Sequence, residues 1–217
     1  MLNEIDELFN EAQRSGVAVS ELALRMQSHL FEDELMIWLD QNNFQPLKNR
    51  SNENLISELK PQTRENAHPL SLSATTGLGQ QPLHTDGAHL RNTPDFVLLW
   101  SETTNETPTR IWRLPQIPHA AKNGIFVVHN GKERWLAQAY NSGAIRFDPG
   151  CMSPADQSAM ALSHFLTTPP KQAIEHIHWD TRGKIAVIDN KHILHGRSRL
   201  SDDDNMRCLK RLSVKRK

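Results

Sequence analysis

The run Gly183-Lys-Ile-Ala-Val-Ile-Asp-Asn-Lys-His-Ile-Leu-His-Gly-Arg197 reads as a strand, a turn and a second strand. Lys184–Asp189 carries the β-branched residues Ile185, Val187 and Ile188, and Asp189-Asn190 is a turn signal. His192–His195 resumes the extended run and delivers His195 immediately before Gly196. Working outward, similar short β-prone runs follow one another from Pro69 onward. They are Leu70–Thr76, Pro82–Asp86, Phe96–Ser101, Arg110–Leu114, Ile125–Asn130, Arg134–Tyr140, Ala144–Asp148, Ile174–Trp179 and Arg207–Val214. Many end in Gly, Asn, Asp or Pro, as strands do. One helix, Ser153–Leu166, interrupts them, with a Ser-Pro start and Asp156 in its first turn. Short strands at this spacing predict a sandwich or barrel rather than a doubly wound parallel sheet.

Upstream, the pattern is helical. Ile5, Leu8 and Phe9 keep helical spacing, as do Leu22, Met26 and Leu30 after Gly16, with Ser20 as a cap. Glu32–Asp40 is apolar enough to pack on a sheet. Gln41–His68 reads as an exposed polar connection with a short helix near Glu53–Glu58. The basic end, Lys210–Lys217, reads as a solvated tail. The expected organisation is an N-terminal helical segment, 1–68, packed on a β core, 69–217, in one structural domain.

Composition narrows the function. The chain has 217 residues, with Lys plus Arg at 25 and Asp plus Glu at 25. That balance excludes a protein that runs on bulk positive charge, so neither nucleic acid nor membrane is an expected partner. There is no long apolar run and no basic, apolar start, so the cytoplasm is the expected compartment. Cys151 and Cys208 have no metal or disulfide spacing. Histidine, at 11 copies, stands out, and it is the commonest metal ligand.

In Pro82-Leu83-His84-Thr85-Asp86-Gly87, His84 and Asp86 lie two apart on an extended run, which puts both side chains on one face. With His195 they make two imidazoles and one carboxylate, the facial set that leaves Fe(II) with open positions. The joint pattern is P-L-H-T-D, then D-N-x-x-x-L-H-G-R, then R-x-x-x-R at Arg207 and Arg211. It resembles the taurine dioxygenase and clavaminate synthase superfamily of iron(II)/2-oxoglutarate-dependent oxygenases. The resemblance covers roughly Leu70 to the C-terminus. It implies a double-stranded β-helix (jelly-roll) core with flanking helices, Fe(II), and 2-oxoglutarate and O2 as cosubstrates. It implies His84, Asp86 and His195 as metal ligands, and Arg207 as the fork for the far carboxylate of 2-oxoglutarate. Thr109 or the nearby Thr107 would add a hydroxyl there. Arg211 matches an arginine that meets an anionic substrate in some relatives, and His89 is placed to line the pocket. Asn190 would fix the turn behind the ligands. The implied reaction is hydroxylation, desaturation or cyclisation, with release of succinate and carbon dioxide. Asp86 itself argues against chlorination, since chlorinating relatives have a small residue there.

The substrate expected is a small molecule, an amino acid (free or carrier-bound) or another small carboxylate; the oligomeric state is open. Only Pro115–Gly124 and Gly143–Gly150 leave room for a lid between Asp86 and His195. Two rival readings stand beside this one. The same ligands can hold zinc for hydrolysis, or the fold can be a non-catalytic metal-binding module. His176 and His178 share a strand face but lack the partners a cupin-like site needs, and alternation turns His192 away from His195.

Overall fold

The computed structural model describes residues 2–20, 28–50, 53–202 and 204–217. The early strands are β1 (Val17–Ser20), β2 (Phe44–Leu47), β3 (Ile56–Leu59), β4 (Phe96–Trp100) and β5 (Asn105–Arg113). Then come β6 (Ile125–His129), β7 (Arg134–Gln138), β8 (Tyr140–Asn141), β9 (Ala144–Ile145) and β10 (Met152–Pro154). The last are β11 (Ile174–Trp179), β12 (Ile185–Asp189), β13 (Ile193–Arg197) and β14 (Leu209–Arg216). The α-helices are α1 (Leu2–Ser15), α2 (Ser28–Gln41), α3 (Ser73–Thr76) and α4 (Gln157–Thr167). None of the described helices is long and apolar enough to cross a membrane.

Two antiparallel sheets face each other. The larger runs β1-β12-β4-β14-β2, and β3 pairs the other half of β14. The facing sheet is β11-β5-β13, and β10-β6-β7 and β8-β9 form separate smaller sheets. Strand β4 is buried throughout, and the strand period of two divides its side chains between two cores. Val97 and Leu99 join Ala186, Ile188 and Leu209 against Ile111, Ile177, Trp179 and Ile193 of the facing sheet. Phe96, Leu98 and Trp100 turn outward onto Ile5, Phe9, Phe31, Leu35, Trp38 and Leu39 of α1 and α2. Burying each such side chain is worth about 1.5–3 kcal/mol, so the helices are a structural cover for this sheet. A third core places Leu162 and Leu166 of α4 against Phe126, Val128, Trp112 and Leu194. The expected mainly β fold with a jelly-roll core and flanking helices is what the chain adopts.

The expectations at the level of single elements were less even. Leu22 and Met26 lie outside the described residues, but Val17–Ser20 is a strand. Gly16 ends α1 at a φ of 88°, and Val17-Ala-Val then adds to the edge of β12, with Val17 opposite Ile188. The helix expected near Glu53–Glu58 is β3 instead, because β14 offers Ile56–Leu59 a ladder from Leu209 to Leu212. The segment 1–68 therefore supplies three strands as well as helices. The strand expected over Leu70–Thr76 is turn and helix. Hydroxyls of Ser71, Thr75 and Thr76 bond back to the carbonyls of His68 and Leu72, which favours local turns over a ladder. Ser153-Pro154 belongs to β10, and Asp156 caps α4 by accepting from the Ala159 N–H at 2.7 Å. The basic end is not a solvated tail: it forms β14, with Leu212 and Val214 buried in the middle of the larger sheet.

Candidate metal centre and its cavity

Strand β13 is buried along its whole length and carries His195. The segment Pro82–Asp86 runs beside it as a single antiparallel bridge. The His84 N–H donates to the His195 carbonyl at 2.9 Å, and the His195 N–H returns the bond to His84 at 2.9 Å. This approach requires Gly196, where a Cβ would stand 2.7 Å from the Pro82 carbonyl oxygen. Gly196→Ala must therefore push the two segments apart. Overpacking of this kind costs about 1–3 kcal/mol, or roughly 2–12 °C of Tm for a chain of this size. Thermal denaturation of the variant reads it directly.

Asn190 fixes the other end of the segment. Its side-chain oxygen accepts from the Asp86 N–H at 2.8 Å, and its amide nitrogen donates to the carbonyls of Asp86 at 3.0 Å and Pro94 at 3.1 Å. These bonds are the turn-fixing contacts expected of Asn190.

The result is a close group of three. One oxygen of Asp86, Oδ1, lies 3.5 Å from His84 Nε2 and 3.6 Å from His195 Nε2. The three ligand-bearing atoms all lie within 4.8 Å of one another. His84 Nδ1 is 3.0 Å from the Pro82 carbonyl oxygen, which can only accept, so Nδ1 holds the hydrogen. In the neutral ring that leaves the Nε2 lone pair aimed at Asp86. Electron-pair donors facing one another at this distance repel unless a cation lies among them, and a proton or a metal ion answers that need. Two imidazoles and a carboxylate on one face suit a divalent first-row metal. Burial alone would raise the Asp86 carboxyl, but the Arg211 charge and both imidazoles hold it well below the usual carboxylate range. Burial pulls His84 down, yet Asp86 and Asp148 outweigh it and the net shift is upward. For His195, burial and the His84 and Arg211 charges prevail over Asp86, and the shift is downward.

A cavity of about 500 Å³ opens over the group, lined by His84, Asp86, His195, Thr109, Arg207, Arg211 and His89. The structure thus brings these seven residues, all singled out from sequence, to one cavity. Arg207 is 4% exposed, donates Nε–H to the Thr107 carbonyl at 3.3 Å, and has no ion pair among the described residues. Burial, with the neighbouring Arg197 charge, brings its guanidinium down to about 10. Between the two threonines the geometry separates. Thr109 lines the cavity and accepts from Trp179 Nε1 at 3.1 Å. Thr107 is fully buried away from it, and its Oγ1 accepts from the Ser201 N–H at 3.0 Å. His89 Nε2 meets the Asn49 carbonyl at 2.7 Å. Arg211 is not a free cation. Its Nη1 lies 3.3 Å from Asp86 Oδ2 and its Nη2 3.7 Å from Glu53 Oε2. Three other histidines stand apart. His176 and His178 are exposed, with ring centres 6.1 Å apart, and His192 bonds Asp189 at 2.7 Å.

The cover of the cavity was misjudged from sequence. Among the described residues, no member of 115–124 lines it, and of 143–150 only Asp148 does. The wall comes from Asn49, Arg50, Glu53, Ser57–Lys60, Gln62, Asn66, His68 and Leu70–Ser73. This is the segment read as an exposed connection. Its polar composition carried no pattern, and only the free edge of β14 explains why it folds over the site.

No family model matches the chain. No curated protein matches it either. Solved structures do. An asparagine oxygenase in complex with Fe(II), 2S,3S-3-hydroxyasparagine and succinate superposes with a TM-score of 0.72 at 15% identity, covering 98% of this chain and 78% of that one. The non-haem iron oxygenase OrfP, in complex with Fe and alpha-ketoglutaric acid, gives 0.72 at 18% identity over 99% and 80%. OrfP in complex with Fe, succinate and (3S)-hydroxy-L-Arg gives 0.70 at 17% identity over 100% and 81%. At these identities the likeness is one of fold, and the chain carries the same jelly-roll fold as these two oxygenases.

Proposed function

We propose that the chain is an Fe(II)/2-oxoglutarate-dependent oxygenase that hydroxylates a small amino-acid substrate. The observation that carries this reading is Asp86 Oδ1 facing both His Nε2 atoms, at 3.5 and 3.6 Å, beneath a cavity that also holds Arg207, which makes no ion pair among the described residues. His84, Asp86 and His195 would hold the ion. Arg207 would take the far carboxylate of 2-oxoglutarate through a planar fork, and the Thr109 hydroxyl would add a further bond. The Asp204 charge only partly offsets the burial of this guanidinium, and a dianion would offset more of that cost. Arg211 and His89 would face the substrate. The related structures bind hydroxyasparagine and hydroxyarginine, which favours an amino acid, free or carrier-bound. When bound, iron and 2-oxoglutarate supply the chemistry: dioxygen is consumed, 2-oxoglutarate becomes succinate and carbon dioxide, and a substrate C–H becomes C–OH. The protein's own work is to orient the reactants and exclude water from them. Neither a zinc hydrolase nor a vestigial module gives Arg207 a use.

The test is succinate release with Fe(II), 2-oxoglutarate and a panel of amino acids, free and as thioesters. One or more should raise succinate well above the substrate-free rate. A uniform baseline, with no charge-transfer band from anaerobic Fe(II) plus 2-oxoglutarate, would defeat the reading. Asn190 tests the support behind the ligands. Asn190→Ala is expected to weaken metal binding about 10–100-fold, the usual effect of losing an outer hydrogen bond. A metal titration of the folded variant measures it.

A further inference from the structure

We infer that Arg211 is a positioning residue for the metal centre, restricting Asp86 to a single metal-facing oxygen. The inference rests on the metal-centre reading above and goes beyond the role of Arg211 toward substrate. The Asp86 carboxylate is divided in its contacts. Oδ1 faces His84 Nε2 and His195 Nε2, while Oδ2 lies 3.3 Å from Arg211 Nη1.

The arginine is itself fixed. Its Nε donates to Ser57 Oγ at 3.2 Å. Asn49, with its amide oxygen turned toward the guanidinium, accepts from Nε at 3.3 Å and Nη2 at 3.0 Å. Glu53 Oε2 stands 3.7 Å from Nη2. Gripped from the far side, the fork cannot follow Asp86 if the carboxylate turns. A carboxylate that chelated an ion through both oxygens would have to withdraw Oδ2 from Arg211, and it would take up one more coordination position. The contact therefore keeps a position open for the reactants. Glu53 makes the longest of these contacts, so an incoming substrate carboxylate can replace it without disturbing the grip on Asp86.

Cobalt(II) reports this without turnover, because its visible bands follow coordination number. Wild-type protein, Arg211→Gln and Arg211→Lys are loaded with Co(II) in the absence of substrate and titrated with azide. Arg211→Gln should show weaker, shifted bands and bind azide at least tenfold less tightly, because Asp86 then takes the extra position. Arg211→Lys, which keeps a cation at Oδ2, should return toward the wild-type spectrum. If Arg211→Gln and wild type give superimposable spectra and equal azide affinity, the arginine serves substrate alone and the inference is overturned. If Arg211→Gln does not fold, Asn49→Ala loosens the fork without touching Asp86. A smaller shift in the same direction then supports the inference, and an unchanged spectrum overturns it. Failure of the metal-centre reading looks different: wild type and His84→Ala would give the same Co(II) spectrum.

Discussion

Arg207→Met is expected to leave the protein as stable as before, or more so, while 2-oxoglutarate binding falls by about 30-fold to several thousand-fold. The two halves have one cause. The guanidinium is held down to about 10 by burial and by Arg197, so the folded chain disfavours its charged form. For a cation with a depressed folded value, the charge works against folding at every pH below that value. Methionine fills a similar space without charge and loses only the bond to the Thr107 carbonyl. The same buried cation is what a dianion needs, and losing the partner of a buried charge costs about 2–5 kcal/mol. Arg207→Lys restores the charge without the fork and should recover part of the affinity. Anaerobic titration of the Fe(II)/2-oxoglutarate band and a melting curve together decide the matter. A large fall in Tm with cosubstrate affinity intact would make Arg207 a structural residue.

His84→Ala should separate metal from fold. In chelator the variant is expected to melt within a few degrees of wild type, because the sheets are held by cores that do not include His84. Its backbone bridge to His195 uses main-chain atoms that alanine keeps. Metal binding should weaken by at least about 100-fold, since each ligand of a tight site is worth roughly 3 kcal/mol. A divalent ion at about 100 times its Kd stabilises the wild-type protein by about 2.7 kcal/mol, or roughly 5–10 °C. The variant should show almost none of that rise at the same concentration. Unfolding in chelator, or an undiminished rise with metal, would remove His84 from the metal centre.

Much of this was legible in the residues because the chemistry is local. A His-x-Asp on an extended run has its side chains on one face whatever surrounds it. The second imidazole follows a strand, a turn and another strand that β-branched residues spell out. Arg207 and Arg211 were placed by the resemblance, through the R-x-x-x-R that follows the L-H-G-R pattern. What stayed hidden depended on pairing across the chain. Nothing within Ile56–Leu59 says that it will lie on Leu209–Leu212, and nothing within Val17–Ser20 names Ile188 as a neighbour. The basic end misled for the same reason: its alternating Leu212 and Val214 are strand residues, but their burial depends on α1 and α2 lying over the sheet. Thr107 and Thr109 share a strand and a face by period. Only the loop at Ser201–Asp204, which takes the Thr107 hydroxyl and backbone, separates them.

Residues 49–50 and 53–73 supply much of the cavity wall, and none of the three clustered groups at 84, 86 and 195 lies among them. They hang largely from one edge, through β3 on β14. The three clustered groups and much of the wall above them therefore lie on different stretches of the chain. Replacing these residues would therefore reshape the wall and, through Asn49, Glu53 and Ser57, also loosen the hold on Arg211 beside Asp86.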